Sequence, residues 1–266
     1  MRTVSALVVA MCVGTGAQTN ELADVVRRVA PAVVTVHTMG FDEEGKPISS
    51  QGSGFVIRDS LIVTNHHVVE NAAIATVDFA DGRRLLVDLG VAADEDIDLA
   101  ILTVSGALHA DLSSISLSDS LPSVGDPIVV FGSPQGYSET VTHGIVSAIR
   151  DSVEIQIDAI IGHGSSGGPV VSLDGELIGV SKRGELLVTG RRRDAFGSLN
   201  FAVSSHALRD LLESVGDGVP LASWSGQEKS AVLPIALRLG EAVSDTILTA
   251  MRGAGPYLTK TSGRSL

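Results

Sequence analysis

Three short runs hold the residues best suited to chemistry. Thr64-Asn65-His66-His67-Val68-Val69 supplies imidazoles. Asp94-Glu95-Asp96-Ile97-Asp98-Leu99 supplies carboxylates, and Gly162-His163-Gly164-Ser165-Ser166-Gly167-Gly168-Pro169 supplies hydroxyls. The glycines of the third run allow a tight turn that presents backbone N–H groups to a bound atom. A serine in such a nest can attack a carbonyl carbon while neighbouring amides hold the oxyanion that forms. Its hydroxyl is a poor nucleophile unless a base takes the proton, and histidine has the ordinary pKa for that task. A carboxylate can then fix the tautomer of the ring and stabilise its protonated form. Alone, the Gly-Ser run reads as a flexible loop; the His and Asp runs upstream turn the reading towards nucleophilic catalysis.

Elements must bring these runs together across about a hundred positions. Asn20 can cap a helix over Glu21 to Ala30, with Leu22, Val25, Val26 and Val29 on one face and Pro31 ending it. Strand signals follow over 32–38, 54–57, 74–79, 84–91 and 99–104, with Asp81-Gly82 as a hairpin turn. A linker rich in Ser, Asp and Pro runs from about Ser105 to Asp126. A second series covers 127–131, 141–149, 153–157, 170–173, 177–181, 186–189 and 199–203, with a hairpin at Asp174-Gly175. Two runs of strands around one linker predict two β-barrels. A closing helix is expected over His206 to Val215, whose Leu208, Leu211, Leu212 and Val215 share a face. Residues 216–266 carry one further helical pattern near 240–251.

Composition limits the function classes. The 266 residues carry 44% apolar but only 3% aromatic residues, so the core is built from Val, Ile, Leu and Ala. A net charge of −12 argues against nucleic acid, which needs a basic face; Arg191-Arg192-Arg193 is read as an exposed loop. With Cys12 as the one cysteine, the chain cannot form an intrachain disulfide. Met1-Arg2, the apolar stretch Val4 to Val13 and the exit Gly14 to Gln18 have the make-up of a secretory leader over residues 1–19; a cytoplasmic leader is the alternative. That apolar run is too short for an ordinary membrane span. The acidic run 94–98 lacks the glycine and terminal glutamate of an EF-hand and is read as a solvated turn, so neither metal nor cofactor is expected.

In these residues the chain resembles the trypsin-like serine proteases, and among them the HtrA/DegP (Do-like) branch. Thr64 to Val69, Asp98-Leu99-Ala100-Ile101-Leu102 and Gly164 to Pro169 stand in that family's order. Supporting segments are Asp24 to Val34, Gly52-Ser53-Gly54-Phe55, Thr140 to Ser147 and Asn200-Phe201-Ala202-Val203. The resemblance spans roughly residues 20–215. It implies an all-β protease domain of two six-stranded Greek-key barrels, about 31–105 and 126–205, with an N-terminal helix and C-terminal helices.

The resemblance also implies roles. His66 and His67 would face opposite ways in an extended segment, and Asp96 and Asp98 would share a face in a strand. The family pattern selects His67 as base, Asp98 as its orienting acid and Ser166, rather than Ser165, as nucleophile. The N–H groups of Gly164 and Ser166 would form the oxyanion hole. Ile160, Ile161, Gly162, Leu199, Asn200 and Phe201 would line the substrate pocket. With no acidic residue at its base, small or medium aliphatic P1 residues are expected. The implied partners are unfolded proteins or peptides, hydrolysed without ATP in the periplasm or outside the cell; assembly as a trimer, with Phe41 as a contact, would follow the family. Two departures stand out. His163 adjoins the nest, and the loop at Arg150-Asp151-Ser152 is short. No PDZ pattern is read in 216–266, so activation by hydrophobic peptide C-termini is not expected. The alternatives are a non-catalytic two-barrel binding or chaperone-like protein, and an esterase, whose usual fold needs the order Ser, Asp, His.

Overall fold

The computed structural model describes residues 21–42, 44–58, 61–104, 112–133, 140–162, 164–188 and 195–215. The expected leader over residues 1–19, with Cys12, and also His163, the arginine run and residues 216–266 with their expected helix lie outside the described residues.

Helix α1 (Glu21–Val29) buries Val25 and Val29, the face its apolar spacing predicts. A 3-10 turn over Ala30–Ala32 carries Pro31 and leads into the first strand. The first barrel contains β1 (Val33–Phe41), β2 (Pro47–Arg58), β3 (Leu61–Thr64), β4 (Ala72–Phe79), β5 (Arg84–Asp94) and β6 (Leu99–Val104), with α2 (His66–Val69) between β3 and β4. The second contains β7 (Pro127–Gly132), β8 (Thr140–Arg150), β9 (Glu154–Ile157), β10 (Pro169–Val171), β11 (Leu177–Val188) and β12 (Ala195–Ser204); α3 (Ser205–Val215) follows. Every ladder pair is antiparallel.

Both sheets close, in the orders β1-β2-β3-β6-β5-β4 and β10-β11-β12-β9-β8-β7. In each, three consecutive strands pair in turn and the fourth returns beside the first, which is the Greek-key order. The expected class, two six-stranded Greek-key barrels with flanking helices, is the one observed. Closure removes the exposed strand edges that open sheets leave for aggregation.

The interiors follow from alternation along the strands. Val34, Val36, Val56, Ile62, Val77 and Leu102 fill the first barrel. Ile128, Val130, Val146, Ile155, Ile157 and Ile178 fill the second. A third cluster lies between them: Phe55, Val63 and Ile101 meet Phe131, Val180 and Val203, and Val25, Val29, Leu208 and Leu212 of the two helices close over it. This shared core docks the barrels, and their docking brings the three chemical runs together.

Two element expectations need correction. Leu61 to Thr64 forms a strand where none was predicted, because the run is only four residues long and shows no period-2 alternation to mark it. Residues 177–188 form one long strand where two were expected over 177–181 and 186–189, with a register shift between Lys182 and Glu185 absorbing the break in pattern; residue 189 lies outside the described residues. The short loop after β8 is a tight turn in which Val153 N–H donates to Arg150 O at 3.2 Å and Asp151 and Ser152 both take positive φ.

Candidate active site

The first barrel presents the imidazole and the carboxylate. After β3 the chain leaves the sheet at Asn65 and enters the single turn of α2, which carries His67. His67 Nδ1 lies 2.8 Å from Asp98 Oδ2 and 3.0 Å from Oδ1, and the His67 backbone N–H donates to Oδ1 at 3.0 Å. Asp98 closes the turn before β6 with a φ of 57°, a left-handed conformation that aspartate enters more readily than most residues. Asn65 Nδ2 donates to the Asp98 carbonyl at 2.9 Å and braces that conformation. Neither sequence premise about facing holds. His66 and His67 lie on a helical turn rather than in an extended segment, and Asp96 and Asp98 lie in a turn rather than a strand. The outcome for the imidazoles is unchanged, since consecutive helical residues point about 100° apart; it is His67 that meets Asp98.

Burial pushes the Asp98 carboxyl up. The hydrogen bonds from the His67 ring and backbone, then the charges of His67 and Lys182, outweigh it and hold Asp98 below the usual carboxylate range. Lys182 itself pairs with Glu154 at 2.5 Å.

The second barrel presents the serine. Between β9 and β10 the chain is anchored to the neighbouring strands. Asp158 Oδ1 accepts from Ile145 N–H at 2.6 Å, Asn200 Nδ2 donates to Ala159 O at 2.7 Å, and Thr142 Oγ1 donates to Ile160 O at 2.9 Å. A compact turn follows. The N–H groups of Ser165, Gly167 and Gly168 reach the carbonyls of Gly162, Ser181 and Ser165 at 3.1, 2.8 and 3.0 Å. Among the described residues, no such partner is found for the N–H groups of Gly164 and Ser166. Gly164 has a φ of 92° and Gly167 one of 86°, both in the left-handed region that favours glycine.

This turn is seated on the first barrel. Ser53 N–H donates to Ser166 O at 2.8 Å, and Ser53 Oγ donates to Gly164 O at 2.7 Å. A Cβ built on Gly167 would lie 2.3 Å from Ser53 O, 2.5 Å from Thr64 Oγ1 and 3.0 Å from Asn65 N. The residue after Ser166 is therefore packed against the backbone two residues before His67.

The expected pocket residues divide. Ile160 is 74% exposed, a large apolar side chain left open beside the turn. Gly162 is also exposed, and Ile161 packs at the edge of the second barrel's core. Leu199 is half-buried opposite Glu185. Asn200 is buried and anchors the segment through Ala159. Phe201 is buried with the Arg150 guanidinium 5.8 Å from its ring centroid.

Residues 52–180 match the family model described as trypsin-like peptidase domain. Serine protease HTRA1 of Xenopus tropicalis is 34% identical over 78% of this chain and 47% of its own length. A probable periplasmic serine endoprotease, DegP-like, of Halomonas elongata is 37% identical over 70% of the chain and 39% of its own. A crystal structure of the serine endoprotease from Yersinia pestis superposes with a TM-score of 0.59 and 31% identity, covering 73% of this chain and 65% of that one. The chain belongs to the trypsin-like serine proteases of the HtrA/DegP type. It spans about half the length, or less, of the curated relatives it matches.

Sequence reasoning assigned no role to three residues at this HtrA-type site. Ser53 stands in the Gly52-Ser53-Gly54-Phe55 segment, but its bond to Gly164 spans 111 positions, which no local pattern reveals. Asn65 could have been suspected from a short amide side chain beside a helix start. Lys182 carries no sequence signal, since its proximity to Asp98 arises only from the docking of the barrels.

Proposed function

We propose that this chain is a serine endopeptidase in which Ser166 attacks the peptide carbonyl, His67 accepts its proton and Asp98 orients the ring. One observation carries the reading: the His67–Asp98 pair stands beside the turn bearing Ser166, with Gly167 packed on Asn65. With Nδ1 engaged by the carboxylate, Nε2 is left to take the serine proton and later return it to the leaving amine. The N–H groups of Gly164 and Ser166, which have no partner among the described residues, act as the oxyanion donors.

Ile160, Ile161, Gly162 and Leu199 form the substrate side of the cleft, which favours small or medium aliphatic P1 side chains; a Lys or Arg there would lack a countercharge. Asn200 and Phe201 support that wall from beneath. The substrates are unfolded polypeptides, cleaved without ATP, because an extended chain can enter a cleft between two closed barrels and a folded one cannot. The leader-like residues 1–19 and the relative named as periplasmic support a place in the cell envelope or outside the cell. N-terminal sequencing of the exported protein tests that last point. Among the described residues, no helix is long and apolar enough to cross a membrane.

The deciding experiment incubates the purified chain and its Ser166→Ala variant with unfolded casein and maps the cut sites by mass spectrometry. Cleavage after Val, Ala or Leu is expected, and Ser166→Ala should lower turnover on the order of 10⁴- to 10⁶-fold. Equal turnover in the two proteins rejects the nucleophile. No turnover in either favours the non-catalytic two-barrel reading. Cuts predominantly after Lys or Arg reject the pocket assignment.

A further inference from the structure

We propose that Ser53 is a positioning residue for the oxyanion hole, acting from the first barrel on the backbone of Gly164 in the second. The inference rests on the catalytic reading above and adds a side chain that the triad does not include.

Ser53 is fully buried, with 0% of its surface exposed. It hydrogen-bonds the serine-bearing turn through its N–H and its hydroxyl, and its carbonyl packs against Gly167. Its N–H donates to Ser166 O at 2.8 Å. Its carbonyl lies where a side chain on Gly167 would have to sit, and accepts from Thr64 Oγ1 at 2.7 Å. Its hydroxyl accepts from Ser133 N–H at 2.8 Å and donates to Gly164 O at 2.7 Å. The hydroxyl has one proton, and Ser133 N–H occupies its acceptor side, so that proton is directed to Gly164.

Ser133 is itself held from the first barrel. Thr35 Oγ1 donates to its hydroxyl and Gln51 Nε2 donates to its carbonyl at 3.3 Å. A relay therefore crosses the barrel junction, from Ser133 N–H through the Ser53 hydroxyl to Gly164 O. The carbonyl of Gly164 fixes the peptide plane on one side of that residue. Its φ of 92°, together with ψ, then relates that plane to the direction of its own N–H, one of the two proposed oxyanion donors. Without the Ser53 hydroxyl, that plane is held only by the Ser165 N–H bond to Gly162 O, and a permissive glycine could turn its own N–H away from the place where negative charge develops.

The Ser53→Ala variant tests this with a split that general loosening of the junction would not produce. Its kcat on a fluorogenic peptide is expected to fall about 10- to 100-fold, with KM within about twofold of wild type. Affinity for a matched peptide aldehyde, whose hemiacetal carries the oxyanion, should fall by the same factor as kcat/KM. Binding of an uncleaved peptide should not change between Ser166→Ala and the Ser53→Ala/Ser166→Ala double variant. Gln51→Ala, which removes a bond to the same Ser133 but leaves the hydroxyl relay, should keep kcat within about twofold. If Ser53→Ala does not fold by circular dichroism, Ser53→Cys retains a weak donor of similar shape and should show the same split, with kcat lower by about 3- to 10-fold.

Unchanged kcat and aldehyde affinity in Ser53→Ala, or in Ser53→Cys where that variant stands in, overturn the proposal. So does an equal rise in KM, or a loss in Gln51→Ala as large as that of the Ser53 variant. Ser166→Ala, run beside them, separates this failure from that of the catalytic reading. An inactive Ser166→Ala with a fully active Ser53 variant refutes only the positioning role. An active Ser166→Ala refutes the site itself.

Discussion

Asp98 shows how much one residue at this site depends on its surroundings. Burial works against its charge, yet two hydrogen bonds from His67 and the charge of Lys182 keep it ionised. Because the folded value lies below the ordinary one, the carboxylate stabilises the fold above the unfolded value of about 4, and that contribution is lost as pH falls through the folded value. Asp98→Asn should therefore be less stable than wild type at pH 7 in urea titrations, and the gap should narrow below about pH 4. A gap that widens on acidification contradicts the assignment. The same variant should lose kcat on the order of 10⁴-fold, because an amide can favour the wrong tautomer of the ring. His67, Asp98 and Ser166 could be picked out as candidates from motifs because each sits in a short run that local spacing can mark. The reasons for their facing were not legible, since a left-handed Asp98 and a helical His67 depend on Asn65 and on packing between strands that are far apart in sequence.

At the scale of elements, the turn between β9 and β10 is shaped as much by the first barrel as by its own sequence. Gly167 is the sharpest case: its φ of 86° disfavours any side chain, and a Cβ would meet Ser53 O and Thr64 Oγ1 at 2.3 and 2.5 Å. Gly167→Ala should lose more than about 2 kcal/mol of stability and about 100-fold or more in kcat, because the turn cannot move without carrying Ser166 with it. Gly45→Ala is the matched comparison. Its φ is 76°, but nothing lies within 4 Å of its Cβ, so only the backbone cost of about 1 to 2 kcal/mol is expected, with activity kept. Similar losses in the two variants would mean that the close approach to Ser53 and Asn65 is unimportant. Some strands, such as β9, could be read from alternation, and others that are buried on both faces, such as β6 and β7, from β-branched runs bounded by turn residues. Leu61 to Thr64 escaped because it has only four residues, too few for its run to stand out, with Ile62 facing the first barrel's interior and Leu61 and Val63 facing the shared core. The break within residues 177–188 misled for a different reason: a register shift disturbs alternation without ending a strand.

Across the whole molecule, the site exists because two closed barrels share a third core. Each barrel has an interior of its own, but Phe55, Leu99 and Ile101 of the first pack with Phe131, Val180 and Val203 of the second, and α1 and α3 cover the seam. Arg28 of α1 also reaches the carbonyl of Asp174 in the β10–β11 hairpin, tying the N-terminal helix to the second barrel. The sequence indicated two strand series and an apolar face on each helix; it could not indicate that those faces meet in one seam, because that is a property of docking rather than of any segment. Leu208 lies in this seam with 0% exposure, among apolar side chains of the shared core. Leu208→Ala should cost about 2 to 5 kcal/mol through lost burial and an unfilled cavity. If the seam couples the barrels, one unfolding transition shifts as a unit to lower denaturant, fluorescence of a dansyl peptide bound in the cleft is lost in the same transition, and the folded variant retains wild-type kcat. Separate transitions, with peptide binding lost before the bulk of the β-sheet signal, would show that the barrels hold together by less than this shared core.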